Sequence, residues 1–223
     1  MTVKLFFDAI GKFFLGAVLI GILIFLPAGT LHFPNGWLLM AILFIPMFFA
    51  GIVMMLKNPS LLQKRLSAKE KLSPQKRVLG LSGCMFLLCF LVAGLDFRFA
   101  WLRLPVWASV GAAIVFLLGY IVYAEVLREN TYLSRTVEVQ ENQKVIDTGL
   151  YGIVRHPMYT ATLLLFFSMP FVLGSALAVI PFCAYPFIIA ARIKSEEDLL
   201  TKELCGYAEY KERVKYKLIP CIW

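Results

Sequence analysis

The sequence predicts an all-α integral membrane protein in which four spanning helices are followed by a C-terminal transmembrane helical hairpin. Three observations lead there. Hydrophobic residues make up 60% of the 223-residue chain, above the roughly 45–50% of a soluble domain, so the excess calls for a lipid-facing surface. Charged residues are only 16% and are clustered, which leaves uncharged runs near the ~20 residues that a bilayer core requires. The last such run, 160–191, has 32 residues without one Asp, Glu, Lys or Arg.

The four single spans are read at 13–26, 36–56, 78–95 and 105–127. Lys4 and Lys12 before the first run suggest a secretory signal. The run continues almost directly into the second and offers no small-residue cleavage site, so it is read as a span. Pro46 should kink the second span, which membrane helices tolerate when neighbours satisfy the freed carbonyl. The run 160–191 as one helix would reach about 48 Å, against a hydrocarbon core of ~30 Å. Gly174-Ser175 lies near its middle, with Pro170 before and Pro181 and Pro186 after. Two helices of about 15 residues are therefore expected to meet at Gly174-Ser175. The chain reads as one membrane domain, spans in 1–127 and the polar, chemistry-bearing residues in 128–223.

The net charge of +8 invites a nucleic-acid partner, but its placement argues against one. The 57–77 connection carries Lys57, Lys64, Arg65, Lys69, Lys71, Lys76 and Arg77 against Glu70 alone, whereas 27–35 has no Lys or Arg. Basic residues concentrate in cytoplasmic loops and are favoured near anionic headgroups. This predicts a multi-pass protein, of the plasma membrane if the source is prokaryotic, with both termini cytoplasmic. The fold-back at Gly174 brings 192–223 to the same side as 128–158. The five cysteines form no CxxC or Cys/His cluster with metal spacing and are read as small hydrophobes.

Two polar stretches flank the hairpin. The first contains Gly149-Leu150-Tyr151 and ends in Arg155-His156-Pro157-Met158-Tyr159. Pro157 suits the first turn of a helix, whose free N–H groups favour a carboxylate. Arg155 and the tyrosines also suit headgroup snorkelling and an interfacial aromatic belt. The second, Arg192-Ile193-Lys194-Ser195-Glu196-Glu197, sets Arg192 and Glu196 on one helix face by i,i+4 spacing; an ordinary exposed ion pair would look the same. Tyr207, Tyr210 and Val214 are spaced as an amphipathic helix, lying on the membrane or covering a pocket. A cation, two carboxylates, a histidine and several tyrosines thus gather at one end of the hairpin. They suit a ligand with an adenosyl part, a cationic centre and an amino-acid part. No phosphate-binding loop, zinc site or Ser/His/Asp spacing is present.

Gln140 through Tyr159, an apolar hairpin, then Arg192-x-x-x-Glu196-Glu197 and Tyr210-Lys211-Glu212-Arg213 closely resemble the isoprenylcysteine carboxyl methyltransferase family. Phospholipid N-methyltransferases share the pattern more loosely. The resemblance covers 130–220, about 40% of the chain. It implies S-adenosyl-L-methionine as cofactor, a lipophilic acceptor drawn from the bilayer, and a cytoplasmic cofactor site. By position, the cofactor pocket would comprise Gln140, Gln143, Lys144, Val145, Ile146, Tyr151, His156, Pro157, Met158, Tyr159 and Glu196. Arg192 would face the substrate, and Glu197 or His156 would serve as base where the acceptor needs one. Two departures stand out: Gln143 replaces a frequent His, and Leu204-Cys205-Gly206-Tyr207 is one residue short of the usual Phe-Gly-x-x-Tyr. A carboxylate acceptor is expected. A phospholipid or small-lipid amine, a nicotinamide-dependent reductase of the sterol reductase type and a non-enzymatic scaffold are the alternatives.

Overall fold

The computed structural model describes residues 3–67, 73–133 and 139–223. Lys69, Glu70 and Lys71 of the basic connection, and 134–138 of the first polar stretch, lie outside the described residues.

Among the described residues, four helices are long and apolar enough to cross a membrane: α1 (Val3–Ala28), α2 (Pro34–Lys57), α4 (Ser73–Phe99) and α5 (Val106–Glu129). Each runs past its apolar stretch into polar residues, because the helical hydrogen-bond ladder does not stop where the hydrocarbon does. Between them the 57–77 connection contains a further helix, α3 (Pro59–Ser67), which its basic composition concealed. Asn58 starts it, its Oδ1 accepting the Leu61 N–H at 3.1 Å, with Pro59 following in the first turn. Leu61 and Leu62 of α3 are buried.

α2 stays helical through Pro46. The Tyr120 hydroxyl of α5 donates to the Leu43 carbonyl at 2.7 Å, next to the Ile42 carbonyl that the proline deprives of a helical donor. α1 packs chiefly on α4, and α5 on α6 (Pro157–Val172). A Cβ on Gly119 would lie 2.9 Å from Leu165 Cγ and 3.1 Å from its backbone N, so α5 and α6 approach nearly backbone to backbone, the use membrane bundles make of small residues.

The chain reverses where expected. Gly174, at φ +74°, ends α6 in a left-handed turn that favours glycine. The returning limb comes in two pieces, α7 (Val179–Phe182) and α8 (Tyr185–Glu203), because Pro181 and Pro186 each remove a donor. The limbs splay: α6 leans on α5, whereas α7 and α8 lean on α4. Phe86 of α4 fills the wedge, edge-on to Phe166 of α6 and Phe182 of α7 at 4.8 and 5.3 Å. At this end Asp96 is fully buried. Its carboxylate accepts the Leu102 N–H at 2.7 Å and the Ser175 hydroxyl, clasping the α4–α5 connection to the hairpin turn.

Candidate functional site

The other end of α6 opens into a pocket with about 840 Å³ of empty space, part of it open to solvent. Its walls come from the end of α5, the 139–151 segment, the first turn of α6, the polar half of α8, and α9 (Tyr207–Arg213).

On the wall made by α6 and α8, the Tyr159 hydroxyl donates to Glu196 Oε2 at 2.5 Å and accepts from Arg192 Nε at 2.8 Å. The i,i+4 spacing of Arg192 and Glu196 therefore puts both on one hydroxyl. The guanidinium carbon of Arg192 also lies 5.9 Å from the centre of the Tyr159 ring.

Behind this wall lies a buried ion cluster. Arg155 Nε donates to Glu197 Oε1 at 2.7 Å, and His156 Nε2 lies 3.2 Å from the same oxygen. Arg155 Nη1 also donates to the carbonyls of Val214 and Lys215 at 2.8 and 3.0 Å. Backbone N–H groups of Arg155 and His156 bond the Tyr216 and Lys217 carbonyls, and the Thr160 hydroxyl bonds that of Leu218 at 2.7 Å. The 214–218 chain thus braces this wall from behind. Burial alone would raise the Glu197 carboxyl; hydrogen bonds from His156 and Arg155, with their charges, outweigh it and hold the group at about 2.

The outer wall is aromatic. The Tyr151 hydroxyl accepts from Asn130 Nδ2 at 2.9 Å, and the Tyr210 hydroxyl donates to the Tyr151 carbonyl at 2.7 Å. Arg213 pairs with Asp147 at 2.7 Å on the outside. α9 begins directly after Gly206, which settles its register: Tyr207, Tyr210 and Val214 turn inward as one buried cluster with Leu204.

Of the residues that the resemblance assigned to the site, ten line the pocket: Gln143, Lys144, Val145, Ile146, Tyr151, His156, Met158, Tyr159, Arg192 and Glu196. Gln140 stands behind them, its N–H donating to Gln143 Oε1 at 2.9 Å and its Nε2 to the Tyr132 carbonyl at 2.5 Å. Pro157 is fully buried at the start of α6. The N–H groups of Tyr159 and Thr160 turn back to the His156 carbonyl, which leaves less of that turn for an anion than the sequence suggested. Glu197 does not line the pocket, and a carboxyl held at about 2 has little affinity for a proton. Arg155 does not snorkel to headgroups; it lines the pocket and is 8% exposed. Asn130, Tyr132, Leu133, Leu200 and Leu204 also line it and gave no sequence signal. Tyr207 and Tyr210 did, through their spacing.

Among the described residues, no His, Cys, Asp and Glu group could hold a metal ion. No curated protein matches the chain significantly. Residues 107–206, just under half of the chain, match a family model described as phospholipid methyltransferase, and that family supports methyltransferase activity in a membrane. The match runs from α5 to the residue before α9 and so takes in most of the pocket's walls. Over these residues the chain carries the pattern of the phospholipid methyltransferase family, part of the isoprenylcysteine carboxyl methyltransferase-type group of membrane methyltransferases.

Proposed function

We propose that the protein transfers a methyl group from S-adenosyl-L-methionine to a lipid-borne acceptor, a carboxylate in preference to an amine. The observation behind this reading is the Tyr159 hydroxyl held between Glu196 and Arg192 on the pocket wall, within the residues that match the family. The pocket suits such a cofactor. Its lining combines apolar Val145, Ile146, Met158 and Leu200, the aromatic faces of Tyr151 and Tyr207, and the Glu196 carboxylate. Glu196 is suited to accept from hydroxyls or an ammonium, and the tyrosine faces to sit against a cation. When bound, the cofactor supplies an electrophilic methyl group on a sulfonium.

The chain's own part is positioning. Arg192, fixed by Tyr159, offers a cation to orient an incoming carboxylate. A carboxylate is ionised at neutral pH and needs no base, and Glu197, held ionised behind the wall, is not poised to be one. The acceleration then comes from alignment and exclusion of water. The phospholipid amine is the second reading, favoured by the family description. His156, which lines the pocket beside the Glu197 carboxylate, would be its base. Arg65 of α3 bonds the Tyr123 hydroxyl of α5, about two turns from Asn130. The basic connection and the pocket therefore share an end of the bundle, which by the positive-inside rule supports a cytoplasmic site.

Calorimetric titration of the detergent-purified protein with S-adenosylhomocysteine, with NADPH as control, tests the reading. Saturable binding is expected for the former, weakened in Glu196→Gln. Arg192→Ala is expected to lose turnover with little loss of that affinity. Binding of NADPH alone would indicate a reductase, and binding of neither would return the scaffold reading.

A further inference from the structure

Five tyrosines line the pocket, and four have settled hydroxyls. Tyr159 bonds Glu196 and Arg192, Tyr151 accepts from Asn130, and Tyr132 and Tyr210 donate to backbone carbonyls. Tyr207 differs. It lines the pocket and is 4% exposed, yet its hydroxyl is buried without any hydrogen-bond partner. Native proteins seldom leave a buried hydroxyl unpaired, and an exception asks for a reason. Burial, with the carboxylates of Glu197 and then Glu196 nearby, pushes its ionisation well above that of an ordinary phenol, so the proton stays on the oxygen and can be donated. The same two carboxylates disfavour an anion at this spot.

We infer that the Tyr207 hydroxyl is a ligand contact of this pocket and that its partner is a neutral oxygen of the kind a ribose hydroxyl offers, not a carboxylate. The inference rests on the proposed adenosyl cofactor and adds a contact to it. Glu196, which also lines the pocket, is an acceptor for hydroxyl protons, so a sugar hydroxyl could accept from Tyr207 while donating to a carboxylate. Val145 and Leu200, which pack beside Tyr207 and line the pocket, are half-buried aliphatic chains. A rotamer change in either opens the way to the hydroxyl.

Tyr207→Phe removes one oxygen and nothing else, and the full chain in detergent gives two readouts. The first is the melting temperature without ligand. An oxygen with no partner contributes nothing to the empty fold, so this temperature is expected to hold or rise, whereas Tyr210→Phe, which loses a bond to Tyr151, should lower it. The second is affinity for S-adenosylhomocysteine and for 5′-methylthioadenosine, which keeps the ribose and adenine but lacks the amino-acid part. Tyr207→Phe is expected to weaken both by a similar factor, roughly 3–10-fold, the worth of one hydrogen bond. Unchanged affinity for both overturns the inference, as does a loss confined to S-adenosylhomocysteine, which would move the contact to the amino-acid part. A fall in the ligand-free melting temperature like that of Tyr210→Phe would make the role structural and overturn it too. If the unaltered protein binds neither nucleoside, the cofactor reading itself fails, an outcome distinct from a variant that binds as the parent does.

Discussion

Glu196 and Glu197 are adjacent, and successive residues on a helix point about 100° apart, so one faces the pocket and the other the Arg155–His156 cluster. Glu196 keeps a hydroxyl partner, whereas Glu197 is 5% exposed and held at about 2 against an ordinary 4.5. Because the folded value is depressed, the stabilisation is fully present above about 4.5 and is lost as pH falls through about 2. Its size is on the order of 3 kcal/mol at about 1.4 kcal/mol per pH unit. Thermal unfolding between pH 2 and 7 should therefore show the parent losing stability in that acid window. Glu197→Gln should be less stable at neutral pH, by about 3–5 kcal/mol for an orphaned buried charge, with a flatter acid limb; superimposable profiles would refute the pairing. The sequence displayed both ends of this cluster, Arg155-His156 and Glu196-Glu197, but not which glutamate met which cation. Snorkelling and burial draw on the same residue types, and the choice was made by the carbonyls of 214–218, some 60 residues away.

At the scale of the helices, hydropathy located all four single spans and the reversal at Gly174, because lipid imposes its requirement on composition directly. It missed α3, whose two buried leucines are too few to show a period among basic residues. It missed too that the returning limb is split and the hairpin splayed, since that depends on which neighbour each limb finds. The α5–α6 contact gives a test. Gly119→Val should force these helices apart at Leu165 and cost about 1–3 kcal/mol, as overpacking does, read as a lowered melting temperature. Gly111→Val, on the same helix with nothing within 4 Å of the added carbon, should be near neutral. Equal effects would mean that helix propensity, not close approach, governs the position.

Across the whole molecule the polar chemistry is divided between two ends separated by the 16 residues of α6, about 24 Å of helix. One end holds the pocket; the other holds Asp96, Ser175 and the turn. Sites that far apart without shared partners act additively. Asp96→Asn should therefore lower the melting temperature while changing S-adenosylhomocysteine affinity less than about two-fold. A large affinity loss would show that the hairpin turn governs the pocket through α6.

The 214–218 segment behind the pocket wall also imposes an order on biosynthesis. Arg155, His156 and Thr160 are made before the 214–218 carbonyls that bind them, and the whole hairpin and Glu197 are translated in between. Until those carbonyls are made, Arg155 lacks its backbone acceptors and the wall that carries Tyr159 is unbraced from behind. That wall is therefore completed by chain translated after the last membrane segment.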